Sequence, residues 1–169
     1  MSYKREIERK YILGETSYEN AKFRLDILFP EADVNESVST DTFWDQGGVD
    51  FIRLRRNTSE LSVKVTDRGT IENRIEENVV VADFDTAKRF ADLVFGDPVG
   101  ELEKNFCVYK LGGGVELALY TVTGDERVFL EVEAPTLQQV IEHSEELHRH
   151  FLMRQETRSL YQLIIGEAA

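Results

Sequence analysis

A chain of 169 residues with 41% hydrophobic residues, 3 Pro and 11 Gly has room for one domain, expected to span residues 1–169, and enough apolar content to build its core. A formal net charge of −12 argues against nucleic acid and anionic membrane surfaces as partners, because both present phosphate. The single cysteine, Cys107, excludes an intrachain disulfide and a thiolate metal cluster; no apolar run reaches the length of a membrane span, and the opening residues lead into no signal-type segment, so a cytoplasmic location is expected.

Residues 4–13 alternate Glu6, Glu8 and Lys10 with Ile7, Arg9 and Tyr11, the period of a strand. Thr16 or Ser17 then reads as a helix cap, with a helix running to Phe29 and stopped by Pro30. Short β-rich stretches follow at 38–45, 51–57, 61–67 and 71–81, bounded by Gly, Asn or Asp as in a meander of hairpins. Phe84, Ala87, Phe90, Ala91 and Val94 fall at helical spacing over 84–95, before Gly96 and Pro98. Three more strands are expected at 101–111, 115–122 and 127–134, separated by the Gly112-Gly113-Gly114 turn and a second turn at 123–126. The stretches 136–151 and 157–165 read as helices. The chain therefore predicts an α+β fold with about eight antiparallel strands and flanking helices.

Strand by strand, the charges share one parity. Glu6, Glu8, Lys10, Arg53, Arg55, Lys64, Arg74, Glu76, Lys104, Glu131 and Glu133 form one set, and Ile7, Tyr11, Ile52, Leu54, Leu61, Val63, Val65, Ile75, Leu130 and Val132 form the other. A sheet with one apolar face packs its helices on that face, and about eight strands can close into a barrel with the polar face lining the bore. Six cations and five carboxylates in such a bore would repel their neighbours unless a ligand neutralised both clusters. Arg forks and Lys point charges suit phosphate oxygens. Two Glu-x-Glu pairs, with oxygen donors only, suit Mg²⁺ or Mn²⁺ held jointly with substrate phosphates.

These residues resemble a known family, the CYTH superfamily of triphosphate tunnel metalloenzymes, which includes class IV adenylyl cyclases, thiamine triphosphatases and inorganic tripolyphosphatases. The opening signature Glu-x-Glu-x-Lys is similar to Glu6-Ile7-Glu8-Arg9-Lys10. Later motifs resemble Asp41-Thr42-Phe43-Trp44-Asp45, Arg53-Leu54-Arg55, Ser62-Val63-Lys64, Arg74-Ile75-Glu76, Phe129-Leu130-Glu131-Val132-Glu133 and Thr157-Arg158-Ser159-Leu160-Tyr161. The resemblance implies an eight-stranded closed antiparallel tunnel. It also implies Mg or Mn on Glu6, Glu8, Glu131 and Glu133, and a triphosphate (ATP, thiamine triphosphate or tripolyphosphate) held by Arg53, Arg55, Lys64, Arg74, Glu76, Lys104 and Arg158. Glu6, Glu8, Lys10 and Lys64 are the residues expected to carry catalysis, and a homodimer is a further expectation of the resemblance.

Two positions depart from the family pattern. Phe106 stands where an Arg is common, and Tyr120 where an inward carboxylate is common. Three readings follow: an enzyme, with the cyclase-like branch preferred to a hydrolase; a non-catalytic tunnel that binds a phosphorylated nucleotide, with Phe106 and Tyr120 stacking on a base; and a barrel whose charges are simply solvated. His143, His148 and His150 read as surface histidines of a helix, Cys107 as packed among apolar groups, and at least one of Phe43 and Trp44 as core.

Overall fold

The computed structural model describes residues 4–66 and 73–165, and side chains from residue 7 onward apart from 67–73 and the last four residues. Nine strands belong to one antiparallel sheet: β1 (Lys4–Leu13), β2 (Asp33–Trp44), β3 (Phe51–Arg55), β4 (Glu60–Thr66), β5 (Asn73–Val80), β6 (Gly100–Gly112), β7 (Val115–Val122), β8 (Val128–Glu133) and β9 (Met153–Glu156). Helices α1 (Tyr18–Leu28), α2 (Phe84–Phe95) and α3 (Leu137–His148) and a short π-helix (Tyr161–Ile165) complete the elements of the described residues. The antiparallel sheet has nine strands where eight were expected. The added strand, β9, carries Met-Arg-Gln-Glu, with the two end residues buried and the two between exposed. That pattern has no period of two, and only pairing with β1 makes the segment a strand. Helix α3 ends accordingly at His148, and the last expected helix is reduced to the π-turn.

The chain divides into two compact units, and β1, β2 and β6 each contribute residues to both. In the first unit (1–5, 39–103 and 158–169) the strand order is β5-β4-β3-β2. One face packs Trp44, Ile52 and Leu54 against α2 through Ala91, with Phe84, Ala87 and Phe95 around them. Asp83 caps α2, accepting the Thr86 backbone N–H at 2.6 Å, and Gly96 ends it at φ 87°. Trp44 is fully buried, and its indole N–H donates to Asp92 Oδ1 on α2 at 3.2 Å. Phe43 points to the other face, edge-on to Phe51 at 5.5 Å and beside Tyr161 at 5.8 Å.

In the second unit (6–38 and 104–157) the order is β6-β7-β8-β1-β9. Its core unites Tyr11, Leu13, Cys107, Tyr109, Leu117, Leu119, Leu130 and Val132 with Ala21 and Leu25 of α1 and Val140 and Leu147 of α3. Burying each such leucine contributes about 1.5–3 kcal/mol. Ser17 caps α1 through the Asn20 N–H, and Thr136 caps α3 through that of Gln139. The turn joining β6 to β7 holds Gly112, Gly113 and Gly114 at φ 84°, 61° and 78°. A Cβ on Gly114 would lie 2.9 Å from Pro135 Cγ, in a backbone conformation that disfavours L side chains. Gly114→Ala is therefore expected to destabilise the protein by about 1–3 kcal/mol, read as a lower midpoint in urea denaturation; an unchanged midpoint would contradict the strain.

Candidate functional site

The polar face of the first unit follows from strand register. Asp41, Arg55 and Glu60 lie in one cross-strand row, Phe43, Arg53, Ser62 and Asn78 in the next, and Phe51, Lys64 and Glu76 in a third, with Thr66 opposite Arg74 beyond them. Residues directly opposite on an antiparallel ladder share a face. Arg53, Lys64, Arg74 and Glu76 are no more than 8% exposed. Glu76 is the hub: its Oε1 lies 3.5 Å from Arg53 Nη2 and its Oε2 3.5 Å from Lys64 Nζ. Arg53 also donates to Ser62 Oγ at 3.0 Å, and its Nη2 stands 3.8 Å from Glu60 Oε1. Arg55 forms a two-bonded fork with Asp41, 2.8 Å from Nε to Oδ1 and 2.9 Å from Nη2 to Oδ2. Buried arginine, lysine and glutamate occur almost only when paired, and here cations outnumber the carboxylates at the same depth.

The second unit is arranged in the same way with the opposite emphasis. Glu116, Glu133 and Glu8 stand in one row across β7, β8 and β1; Ala118, Glu131, Lys10 and Glu156 form the next row, which extends to β9. Glu8, Lys10, Lys104 and Glu156 are no more than 9% exposed. Lys10 Nζ lies 3.3 Å from Glu131 Oε1, and the Tyr120 hydroxyl donates to the same oxygen at 2.8 Å. The third row is aromatic, with Phe106, Tyr120 and Phe129 opposite one another on β6, β7 and β8. Tyr120 and Phe129 stack at 5.2 Å and 13°, and the Lys104 ammonium stands 5.4 Å from the Tyr120 ring.

The reading in which the charges are simply solvated is therefore overturned: Glu8, Lys10, Arg53, Lys64, Arg74, Glu76 and Lys104 are each at most 9% exposed. The structure gathers Arg53, Lys64 and Glu76 in the first unit, and Lys10, Glu131 and Tyr120 in the second. Arg158 is exposed in the bend before the π-turn. Glu6 lies outside the residues whose side chains are described. With Tyr120 only 3% exposed and stacked on Phe129, its ring is not open to a nucleotide base in this conformation.

Three residues of these faces were not among the expected site residues. Glu156 lies in the unanticipated strand. Glu116 shares the parity of Ala118 and Tyr120 and could have been found by counting along β7. Asp41 is fully buried; an Asp inside a strand of Ser, Thr, Phe and Trp, a setting from which Asp is depleted, was the available signal.

Glu8, Glu131 and Glu133 supply oxygen donors only, the donor type preferred by Mg²⁺ or Mn²⁺. Among the described residues no three His, Cys, Asp or Glu side chains converge closely enough to hold a metal by themselves. Mg²⁺ ordinarily takes one or two carboxylates and completes its shell with water and substrate phosphates, so the residues present fit the ion by donor chemistry.

Elsewhere the titrating groups serve packing. Burial pushes the Cys107 thiol up, away from reactivity. Burial, then the hydrogen bond to Asp26, raises Tyr109, which ties β6 to α1 at 2.9 Å. Lys22 is held charged first by Glu36 and then by Asp26. His148 packs edge-on against Tyr11, and His150 lies 3.3 Å from Glu146.

No protein-family model matches the chain, and no curated protein sequence matches it. Solved structures do. A conserved hypothetical protein from Pyrococcus furiosus superposes with a TM-score of 0.76 at 20% identity, over 94% of this chain and 99% of that one. A candidate adenylyl cyclase from Hippeastrum, described as having a dominant triphosphatase activity, gives 0.68 at 15% identity over 96% of each chain. A candidate adenylate cyclase from Bacillus halodurans gives 0.63 at 14% identity, over 97% of this chain and 99% of its own. The chain shares the fold of these structures. Glu8 and Lys10 lie on β1, Arg53 and Arg55 on β3, Lys64 on β4, Arg74 and Glu76 on β5, and Glu131 and Glu133 on β8. No helix among the described residues is long and apolar enough to cross a membrane.

Proposed function

We propose that this protein is a divalent-metal-dependent enzyme acting on a triphosphate, with ATP cyclisation as the preferred reaction. The observation that carries the reading is the burial of the charged strand face, each of its seven principal members being at most 9% exposed. Ion pairs at that depth pay several kcal/mol of desolvation per charge, and an uneven set of cations among them favours a multiply charged anion. Arg53, Lys64, Arg74 and Lys104 take phosphate oxygens, joined by Arg55, Glu76 and Arg158. Glu8, Glu131 and Glu133, together with Glu6, take Mg²⁺ or Mn²⁺, which when bound neutralises phosphate charge and lowers the pKa of the attacking oxygen. Lys10 and Lys64 complete the set that carries catalysis. In the cyclase reading the ribose 3′-oxygen loses its proton, attacks the α-phosphorus and releases pyrophosphate.

Hydrolysis at the terminal phosphorus is the second reading, favoured by the triphosphatase activity in the description of the Hippeastrum structure. A homodimer and a cytoplasmic location belong to the same proposal, and sedimentation equilibrium tests the former. The deciding experiment is ³¹P NMR of the protein with Mg²⁺ or Mn²⁺, incubated separately with ATP, tripolyphosphate and thiamine triphosphate. Pyrophosphate with a cyclic monophosphate supports cyclisation and orthophosphate supports hydrolysis. Binding of all three without any product overturns the enzyme reading and leaves a triphosphate-binding protein.

A further inference from the structure

Glu131 faces Ala118 directly across the β7–β8 ladder, while the cross-strand partner of Tyr120 is Phe129. A methyl group at position 118 offers the carboxylate neither a hydrogen bond nor a steric stop. The diagonal position can do so, because neighbours two residues along on the adjacent strand stand about 7–8 Å apart, within reach of a long aromatic side chain. Tyr120 uses that reach. Its hydroxyl donates to Glu131 Oε1 at 2.8 Å, and Lys10 approaches the same oxygen at 3.3 Å from β1.

The phenol itself is held independently of Glu131. Tyr120 is 3% exposed, stacks on the fully buried Phe129 at 5.2 Å and 13°, and has the Lys104 ammonium 5.4 Å from its ring centroid. Packing therefore sets where the hydroxyl lies, and the flexible carboxylate follows it. A buried phenol needs some hydrogen-bond partner; here the partner is a carboxylate assigned above to the cation.

Resting on that metal reading, we propose that Tyr120 is a positioning residue that fixes the Glu131 carboxylate for divalent-cation binding, a duty the residue directly opposite, Ala118, cannot perform. In this role Tyr120 is not itself a ligand; it acts through Glu131. Outer partners of metal-binding carboxylates typically account for about 10–100-fold in metal affinity.

The test uses Mn²⁺ alone as the probe, with free Mn²⁺ followed by electron paramagnetic resonance during titration of the full chain. Wild type, Tyr120→Phe, Glu131→Gln and the double variant are compared. Tyr120→Phe keeps the ring, its stack and the cation–π contact, so its melting temperature should stay within about 4 °C of wild type. It is expected to raise the dissociation constant about tenfold, and to add less than about twofold once Glu131→Gln is present, the signature of two residues acting as a unit. If Tyr120→Phe binds Mn²⁺ as tightly as wild type or more tightly while Glu131→Gln binds poorly, the positioning role is overturned and the metal reading stands. An equal loss from Tyr120→Phe in the Glu131→Gln background also overturns it, since that loss cannot pass through the carboxylate. Mn²⁺ binding that is absent in wild type, or indifferent to Glu131→Gln, overturns both.

Discussion

Glu8→Gln lowers metal-dependent turnover of the triphosphate by about 100-fold or more, with the fold retained. Glu8 is 8% exposed on β1, directly opposite Glu133 on β8 and in the same row as Glu116. Gln has nearly the same volume, so no cavity opens, and the change removes one of three carboxylates aligned across neighbouring strands. What disappears is an anionic oxygen donor, and an amide oxygen is a much poorer partner for a hard divalent cation. The check is paired: initial rates at saturating Mg²⁺ and Mn²⁺, and a thermal melt on the same preparation. Unchanged turnover in a folded variant refutes the assignment of Glu8 to the metal. Lost turnover with a collapsed melt would instead mark Glu8 as structural.

Lys64→Ala has the second largest expected effect, a fall in triphosphate affinity of about 30-fold or more, equivalent to about 2 kcal/mol. The ammonium is 5% exposed and lies 3.5 Å from Glu76, whose other oxygen faces Arg53 at the same distance. Truncation therefore leaves Glu76 with a cationic partner, so the unliganded fold should tolerate the change. The bound state suffers more, because Lys64 belongs to the cationic surplus that makes a polyanion welcome at this depth. Calorimetry with a non-hydrolysable triphosphate at two salt concentrations is the measurement. A weaker affinity with a shallower salt dependence fits a lost phosphate contact, and an affinity equal to wild type removes Lys64 from the binding set.

Much of this arrangement is legible along the chain because a strand's side chains alternate with a period of exactly two residues in space. Ile52 and Leu54 pack under α2 while Arg53 and Arg55 point to the other face, as their alternation implies. The helix starts are equally local: Ser17, Asp83 and Thr136 each accept a backbone N–H three residues on. Strand β9 was not legible, since four residues without alternation become a strand only beside β1. The Asp41–Arg55 fork was half legible. An Asp within a strand asks for a partner, but which partner depends on the β2–β3 register.

The aromatic row shows the boundary most clearly. Sequence parity places Phe106, Tyr120 and Phe129 on the polar face, where base stacking was one expected use of the first two. In the fold Tyr120 is spent on Phe129 and Glu131 instead. That choice depends on a diagonal across two strands and on a small residue at 118, which a one-dimensional pattern cannot express.

By itself, then, the sequence determined most of the strands, the three α-helices, the cap of the first and the division of side chains into an apolar and a charged face, because each depends on neighbours only a few residues away. The tertiary structure decided that the charged face is buried, that Glu76 is shared by Lys64 and Arg53, and that Glu131 is held between Lys10 and Tyr120. Those outcomes depend on the register between strands that are often distant in the chain, and on whether a polar face meets water or protein, which no local period encodes.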